Sequence, residues 1–156
     1  MKILFKIFLL LLIFSLPANA DIVKIFQFTK DEFKQLKVRK VKGETEWALG
    51  SNENGNYIRA EAEGTGSGLG KEIIIDLNKT PFINITWKVE KNLSGIIENS
   101  KKGHDYAARV FVVKKTGSTA LSNRAINYVF SSNNNVGETW RSPYTCLLYT
   151  SPIPRD

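Results

Sequence analysis

The sequence predicts an all-β fold, an antiparallel β-sandwich. Apolar and polar residues alternate with period two in several short segments, and turn signals such as Asn-Gly separate these segments. No stretch carries a long helical period, which argues against architectures that alternate strands with helices. With 42% hydrophobic and 24% charged residues, the composition is that of an ordinary globular protein and excludes collagen-like, coiled-coil and polytopic membrane proteins. The length of 156 residues fits one domain.

Residues 1–20 read as a signal peptide. Lys2 and Lys6 form a positive start, an apolar run follows, and Ala18-Asn19-Ala20 supplies the small residues that precede cleavage. The run is shorter than the ~20 residues that cross a bilayer, so we expect no membrane span after cleavage. Cleavage between Ala20 and Asp21 predicts a periplasmic or secreted protein.

The last residues, 146–156, resemble the translation of a sequencing adapter, CLLYTSPSPRD, with Ile153 as the one departure. We therefore expect this segment to be an artefact of assembly and the authentic domain, residues 21–145, to continue differently after Thr145. The single cysteine, Cys146, then carries no redox or nucleophilic argument. Without both ends the chain loses three basic residues and one acidic residue, and its net charge falls from +7 to +5.

The elements of residues 21–145 follow from local pattern. The N-terminal half predicts a strand at 22–28, followed by the basic run 30–42, in which Phe33, Leu36 and Val38 could lie on one side of a short helical turn. Two strands joined by a hairpin turn at Asn54-Gly55 come next. The first has Thr45, Trp47 and Leu49 on one face, and the second has Ile58, Ala60 and Ala62 on one face. The second half predicts a flexible connection at 64–70, strands at 73–77, 82–89, 106–113 and 125–130, polar loops at 114–123 and 131–136, and a loop-like end with Trp140 and Tyr144.

The run Gly103–Val113 (GHDYAARVFVV) resembles the hallmark of a secreted bacterial family catalogued as domain of unknown function 3047. Further pieces appear in the family's order: Ser67-Gly68-Leu69, Pro81 with Ile85–Val89, Asn127–Phe130, Val136-Gly137, and Trp140 with Pro143-Tyr144-Thr145. The chain departs from the family at His104, where members typically have Asp, and at Phe130, where they often have Trp. Family members also continue through more strands after the Pro-Tyr-Thr element. The resemblance implies secretion and a β-sandwich, but no mechanism. From the strand pattern we expect a jelly-roll sandwich like those of carbohydrate-binding modules.

No cofactor is predicted. The glycine run Gly64–Gly70 (GTGSGLG) fails as a phosphate loop, because Thr65 stands where a Walker motif needs glycine and Glu72 where it needs Ser or Thr. The dinucleotide fingerprint fails at Leu69 or Lys71, depending on where it starts. One His and one Cys exclude metal sites built from several of these residues.

Titratable groups gather at His104, Asp105 and Arg109. Strand alternation would put Asp105 and Arg109 on one face, and an Arg in an otherwise apolar strand needs a charged partner. The sequence leaves two interpretations open: an ion pair that holds the fold, or a clamp in which Arg109 binds a carboxylate or sulfate and Asp105 orients it. His104 could then act as acid or base.

Aromatic residues supply the other candidate ligand contacts. Trp140 and Tyr144 stand in loop-like sequence, where exposed rings would stack on sugars, whereas the clean alternation around Trp87 predicts a core position. Carboxylate pairs for glycoside hydrolysis cannot be chosen from the pattern, which offers Glu61, Glu63, Asp76, Glu90 and Glu98 without singling out any of them.

The sequence therefore predicts an exported, non-catalytic β-sandwich that binds cell-envelope glycan or another polyanion, with Asp105, Arg109, Trp140 and Tyr144 as ligand contacts and no catalytic residue assigned. The basic run 30–42 could follow an acidic polymer, and export disfavours nucleic acid. Two alternatives stay open: a small envelope hydrolase built around Asp105 and Arg109, and a structural envelope protein.

Overall fold

The computed structural model describes residues 22–119 and 122–152, so the expected signal peptide lies outside the described residues. Their contacts divide them into two compact units, one ending at Asn84 and one beginning at Ile85. The all-β class is confirmed, since strands in small sheets dominate the described part of the chain and one short helix accompanies them. The elements are α1 (Lys30–Gln35), β1 (Lys37–Lys42), β2 (Glu46–Asn52), β3 (Gly55–Glu61), β4 (Gly66–Gly70), β5 (Arg109–Lys114), β6 (Arg124–Val129), β7 (Trp140–Ser142) and β8 (Thr145–Pro152).

The expected strand at 22–28 is wrong: the segment forms no ladder, and its last two residues, Gln27 and Phe28, contact the first turn of α1. The side chain of Thr29 accepts a hydrogen bond from the Glu32 backbone N–H at 3.2 Å, and Glu32 Oε2 accepts from the N–H groups of Gln27 and Phe28 at 2.8 and 2.7 Å. This reciprocal arrangement caps the helix. Phe28 has a φ of 52°, which bends the chain and takes its N–H away from any strand ladder.

The N-terminal unit contains two antiparallel ribbons. The predicted hairpin β2–β3 forms, but its two-residue loop is Glu53-Asn54, one position earlier than the Asn54-Gly55 signal. Asn52 pairs with Gly55, which begins β3 with a φ of 116°. The other ribbon pairs β1 with β4, so the expected flexible connection at 64–70 is wrong over 66–70. Ser67 of β4 links the two ribbons: its hydroxyl accepts from the Thr45 N–H and from Trp47 Nε1, both at 3.1 Å.

Two further predicted strands, 73–77 and 82–89, form no ladder. Ile74 is fully exposed, which also contradicts a buried strand at 73–77. Along 82–89 the expected alternation of burial is present, with Ile83, Ile85, Trp87 and Val89 half-buried between exposed neighbours. Alternation reports which side of a segment is buried, but it cannot say whether another strand is available to pair with its backbone.

The C-terminal unit is one four-stranded sheet in the order β5-β6-β8-β7. The pairs β5–β6 and β7–β8 are antiparallel, and β6–β8 is parallel. The predicted strands at 106–113 and 125–130 are confirmed, with the first beginning later, at Arg109. Trp140 lies in β7 rather than in a loop, while Pro143-Tyr144 forms the turn into β8.

Residues 146–152 belong to β8. Their expected origin in a sequencing adapter stays a prediction. Amplification of the gene from genomic DNA with a primer placed well downstream tests it, and a different amino-acid sequence after Thr145 is the expected result.

The buried apolar residues of the C-terminal unit include Tyr106 and Val129, at 6% and 0% exposure. No helix in the described ranges is long or apolar enough to span a membrane.

Candidate functional site

The side chain of Glu98 is the polar centre of the C-terminal unit. It is 1% exposed, and its carboxylate accepts four hydrogen bonds from the loop that follows β6. Oε1 accepts from the Ser132 N–H and the Ser132 hydroxyl, both at 2.6 Å, and Oε2 accepts from the Ser131 hydroxyl and from Asn134 Nδ2 at 2.8 Å. Every one of these donors is neutral. The carboxylate therefore ties two loops together through dipoles rather than through a cation.

The hydrogen bonds decide the ionisation of Glu98. Burial alone would raise the pKa of the carboxyl, but the donors on Ser131, Ser132 and Asn134 outweigh it and hold the pKa below its ordinary value. Glu98 is thus a buried anion at neutral pH, and its lone pairs are used by the loop.

The backbone carbonyl of Glu98 positions two aromatic side chains. His104 Nδ1 lies 3.2 Å from this oxygen, and the Tyr106 hydroxyl donates to it at 3.2 Å. The same hydroxyl lies 3.0 Å from His104 Nδ1. Burial lowers the pKa of His104, and the nearby Arg109 lowers it further, so the imidazole is neutral at pH 7. Burial raises the pKa of Tyr106 to about 12.

Four rings form what we call the aromatic cluster: His104, Tyr106, Trp140 and Tyr144. His104 meets Tyr106 edge-on with centroids 5.2 Å apart and lies 5.7 Å from the Tyr144 ring. Tyr106 lies 6.5 Å from Trp140. Tyr144 is 62% exposed, and its hydroxyl donates to the Lys101 carbonyl at 2.7 Å, which fixes the ring at the surface.

Arg109 extends the aromatic cluster with a cation. Its guanidinium carbon lies 5.0 Å from the Tyr106 centroid, and its Nη2 donates to Asp105 Oδ1 at 3.1 Å. The expected Asp105–Arg109 ion pair therefore forms. It is not sealed in the core, because the Asp105 side chain is 69% exposed and that of Arg109 is 31% exposed.

The structure brings the four predicted contact residues into one neighbourhood but separates their environments. Arg109, Asp105 and Tyr144 reach the surface. Trp140 is half-buried, and its Nε1 lies buried near the Tyr106 hydroxyl. Among the described residues, this N–H has no hydrogen-bond acceptor in suitable geometry. Trp140 thus packs near the ring of Tyr106 and presents less surface to solvent than Tyr144 does.

Two features of the site were not found from the sequence. Glu98 was one of five carboxylates that the sequence pattern did not distinguish, and its partners in the run 131–134 were predicted only as a polar loop. Gly103 was a family residue without a stated role; a Cβ there would lie 2.4 Å from the Ile97 carbonyl oxygen. Only glycine lets the 97–103 loop close and place His104 against Glu98.

Open clefts occur elsewhere on the chain. One of about 450 Å³ is lined by residues around α1, including Glu32 and Lys71, and one of about 430 Å³ by residues of β6 and β8, including Ile126 and Tyr149. Neither is lined by Asp105 or Arg109, so neither supplies the concave site that a hydrolase built on that pair would need.

The fold and the site define an all-β protein with a surface aromatic cluster set on a buried, hydrogen-bonded carboxylate. The chain belongs to the family described as protein of unknown function (DUF3047), whose family model matches residues 31–151. No curated protein and no solved structure matches it significantly.

Proposed function

We propose that this is an exported envelope protein that binds a glycan at the outer side of the aromatic cluster. The observation that carries the proposal is the exposed Tyr144 ring, held at the surface by its hydrogen bond to the Lys101 carbonyl and connected through His104 and Tyr106 to Arg109. A fixed aromatic ring beside a charged hydrogen-bonding pair is the combination that sugar recognition uses.

The parts of the cluster have complementary tasks in this proposal. The Tyr144 face stacks on the apolar face of a sugar ring, while Arg109 donates to ring hydroxyls or to an acidic substituent and Asp105 accepts from hydroxyls. Glu98 and Trp140 do not touch the ligand. They hold His104 and Tyr106, so that the surface residues lose little conformational freedom on binding.

The alternatives gain less support. A hydrolase would need a second carboxylate aimed at the substrate, and the lone pairs of the buried Glu98 are already taken by Ser131, Ser132 and Asn134. A purely structural role would account for the contacts of Tyr144 with the Lys101 carbonyl and with the Lys101 ammonium 5.6 Å from the ring centroid, but it assigns no task to the exposed part of the ring. Export rests on the signal-peptide pattern of residues 1–20.

The test is a screen of the purified chain against a panel of bacterial envelope glycans, followed by calorimetry on each hit. Tyr144→Ala should weaken binding by about tenfold, the loss expected for one aromatic stack. Phe82→Ala is the matched control, because Phe82 is 88% exposed and lies outside the cluster. No specific hit, or equal losses in both variants, contradicts the proposal.

A further inference from the structure

The ribbon β1–β4 carries a row of basic side chains on one face. Residues paired across an antiparallel ladder point to the same side, and the register pairs Lys37 with Gly70, Arg39 with Gly68 and Lys42 with Gly66. Lys42 joins this side because the register shifts between Lys40 and Lys42, which leaves Val41 as an unpaired, bulged residue. The bulge therefore aligns three cations that simple alternation would divide between two faces. We call Lys37, Arg39 and Lys42 the basic row.

The charges of the basic row are unsatisfied within the part of the chain that the structure describes. All of β1 is exposed, and none of Lys37, Arg39 and Lys42 forms an ion pair with another described residue. Lys40, which points to the other face, is neutralised by Glu44 at 2.6 Å. The row extends over roughly 13 Å, since it lies opposite the four steps from Gly70 to Gly66 and a strand advances about 3.3 Å per residue. One small anion cannot span that length, whereas an extended chain of anions can.

The glycines opposite the basic row leave it open. Gly66, Gly68 and Gly70 do not have positive φ values, and a Cβ at any of them would meet no atom within 4 Å. Neither backbone conformation nor packing against the described residues therefore requires glycine, although each one weakens a strand by about 0.5–1 kcal/mol relative to alanine. Glycine in a strand often marks a bulge, a tight bend, or a place where a ligand or another backbone approaches closely. The bulge lies opposite Gly66, so it does not account for Gly68 and Gly70. Here glycine keeps the strip beside the cations free of side chains.

We propose that the basic row binds a linear acidic polysaccharide laid along the glycine side of the ribbon. The cations supply charge complementarity, and the bare backbone of β4 admits the sugar chain. A single-stranded nucleic acid fits less well, because none of the six residues on this face is aromatic and base stacking would have no platform. The site lies in the N-terminal unit and does not depend on the aromatic cluster.

The binding experiment uses the purified chain and a fluorescent heparin oligosaccharide, with anisotropy measured over a series of NaCl concentrations. The variant K37Q/R39Q/K42Q should bind about tenfold more weakly at low salt, given the size of exposed charge contacts. Its slope of log affinity against log salt should be smaller by about two, if each lost contact removes about 0.7 as on single-stranded polyanions. The control K79Q/K91Q/K114Q removes the same net charge from exposed positions outside the ribbon. Equal losses in the two triple variants overturn the proposal.

A second variant separates binding from folding. Gly68→Thr places a β-branched side chain in the strip, where it has space and favours the strand, so the chain should be at least as stable as the wild type and yet bind heparin several-fold more weakly. Unchanged heparin binding by this variant overturns the role of the glycine strip.

Two comparisons complete the test. Tighter binding of a single-stranded DNA oligonucleotide than of heparin of equal charge overturns the choice of polymer. Tyr144→Ala should leave heparin binding unchanged, and K37Q/R39Q/K42Q should leave binding of a neutral glycan unchanged. A failure of the basic-row proposal can therefore be told apart from a failure of the proposed glycan site at Tyr144.

Discussion

Replacing Glu98 by glutamine tests whether the buried carboxylate holds the C-terminal unit together. Glu98→Gln keeps the shape of the side chain but puts an NH₂ group where one carboxylate oxygen accepts two hydrogen bonds. Facing Ser132, the NH₂ meets a hydroxyl and a backbone N–H; facing Ser131 and Asn134, it meets a hydroxyl and an amide. A serine hydroxyl can turn and accept from the new NH₂ group, but the Ser132 N–H in one orientation, or the Asn134 amide in the other, loses its acceptor.

The magnitude follows from these contacts. Hydrogen bonds to a charged group contribute about 1.5–3 kcal/mol each and neutral ones about 0.5–1.5, so one lost bond and three weakened ones correspond to about 3–6 kcal/mol. The amide also removes the cost of burying a charge, which offsets part of this loss. We expect Glu98→Gln to lower the free energy of unfolding of the C-terminal unit by about 2–4 kcal/mol.

The assay is urea unfolding followed by tryptophan fluorescence in a Trp47→Phe background. The chain has 3 tryptophans, and this change leaves Trp87 and Trp140, both in the C-terminal unit, as reporters. Glu138→Gln is the control: Glu138 is exposed in the same unit and accepts from the Asn135 N–H and side-chain amide at 3.1 and 2.9 Å. It removes the same charge and should cost less than about 1 kcal/mol.

The pH dependence of the free energy of unfolding tests the role of Glu98 independently. The pKa of folded Glu98 lies below its ordinary value of 4.5, so the stability that its ionised form contributes is complete above 4.5 and is lost as the pH falls through the folded pKa. The difference between wild type and Glu98→Gln should therefore narrow as the pH drops below 4.5. A loss no larger than that of Glu138→Gln, or a difference that widens in acid, would refute the reasoning.

Three further predictions concern other parts of the chain. Gly103→Ala should lower the free energy of unfolding of the C-terminal unit by about 1–3 kcal/mol, because the added Cβ would lie 2.4 Å from the Ile97 carbonyl oxygen. Urea unfolding measures this loss, and unchanged stability would mean that the 97–103 loop moves away without cost. Ser67→Ala should lower the stability of the N-terminal unit by about 1–2 kcal/mol and shift the Trp47 emission, since its indole N–H loses an acceptor at 3.1 Å; unchanged emission would contradict the contact. Expression of the full sequence in a bacterium should give an exported protein cleaved after residue 20, and intact-mass spectrometry that finds residues 1–20 retained would contradict export by a cleaved signal.

Local signals predicted those elements whose cause is local. The β2–β3 hairpin forms at the predicted turn signal, where Gly55 takes a positive φ directly after the Glu53-Asn54 loop, and β5 and β6 form where β-branched residues concentrate. The glycine run was assigned as a flexible connection because glycine has low strand propensity. It nevertheless forms β4, since β1 supplies a ladder and the Ser67 side chain anchors it to Thr45 and Trp47.

The candidate site divides in the same way. The pairing of Asp105 with Arg109 was expected because an arginine in an apolar segment needs a partner nearby in sequence. The expected strand alternation between them is wrong, since β5 begins only at Arg109 and Asp105 lies in the segment before it. The role of Glu98 did not, because its partners stand more than thirty residues away, in a loop whose sequence predicts only polarity.

The sequence by itself determined the all-β class, the local turns, the Asp105–Arg109 pair and the family. These depend on alternation, on turn chemistry and on neighbours within a few residues. Only the tertiary structure decided that 82–89 lacks a strand partner, that a bulge at Val41 aligns the basic row, and that Glu98 is the anchor beneath the aromatic cluster. Each of these depends on which distant segment meets which. Strand register and buried hydrogen bonds are formed between segments far apart in the chain. The sequence pattern of one segment indicates which groups must be buried or hydrogen-bonded, but it does not identify the segment that pairs with them.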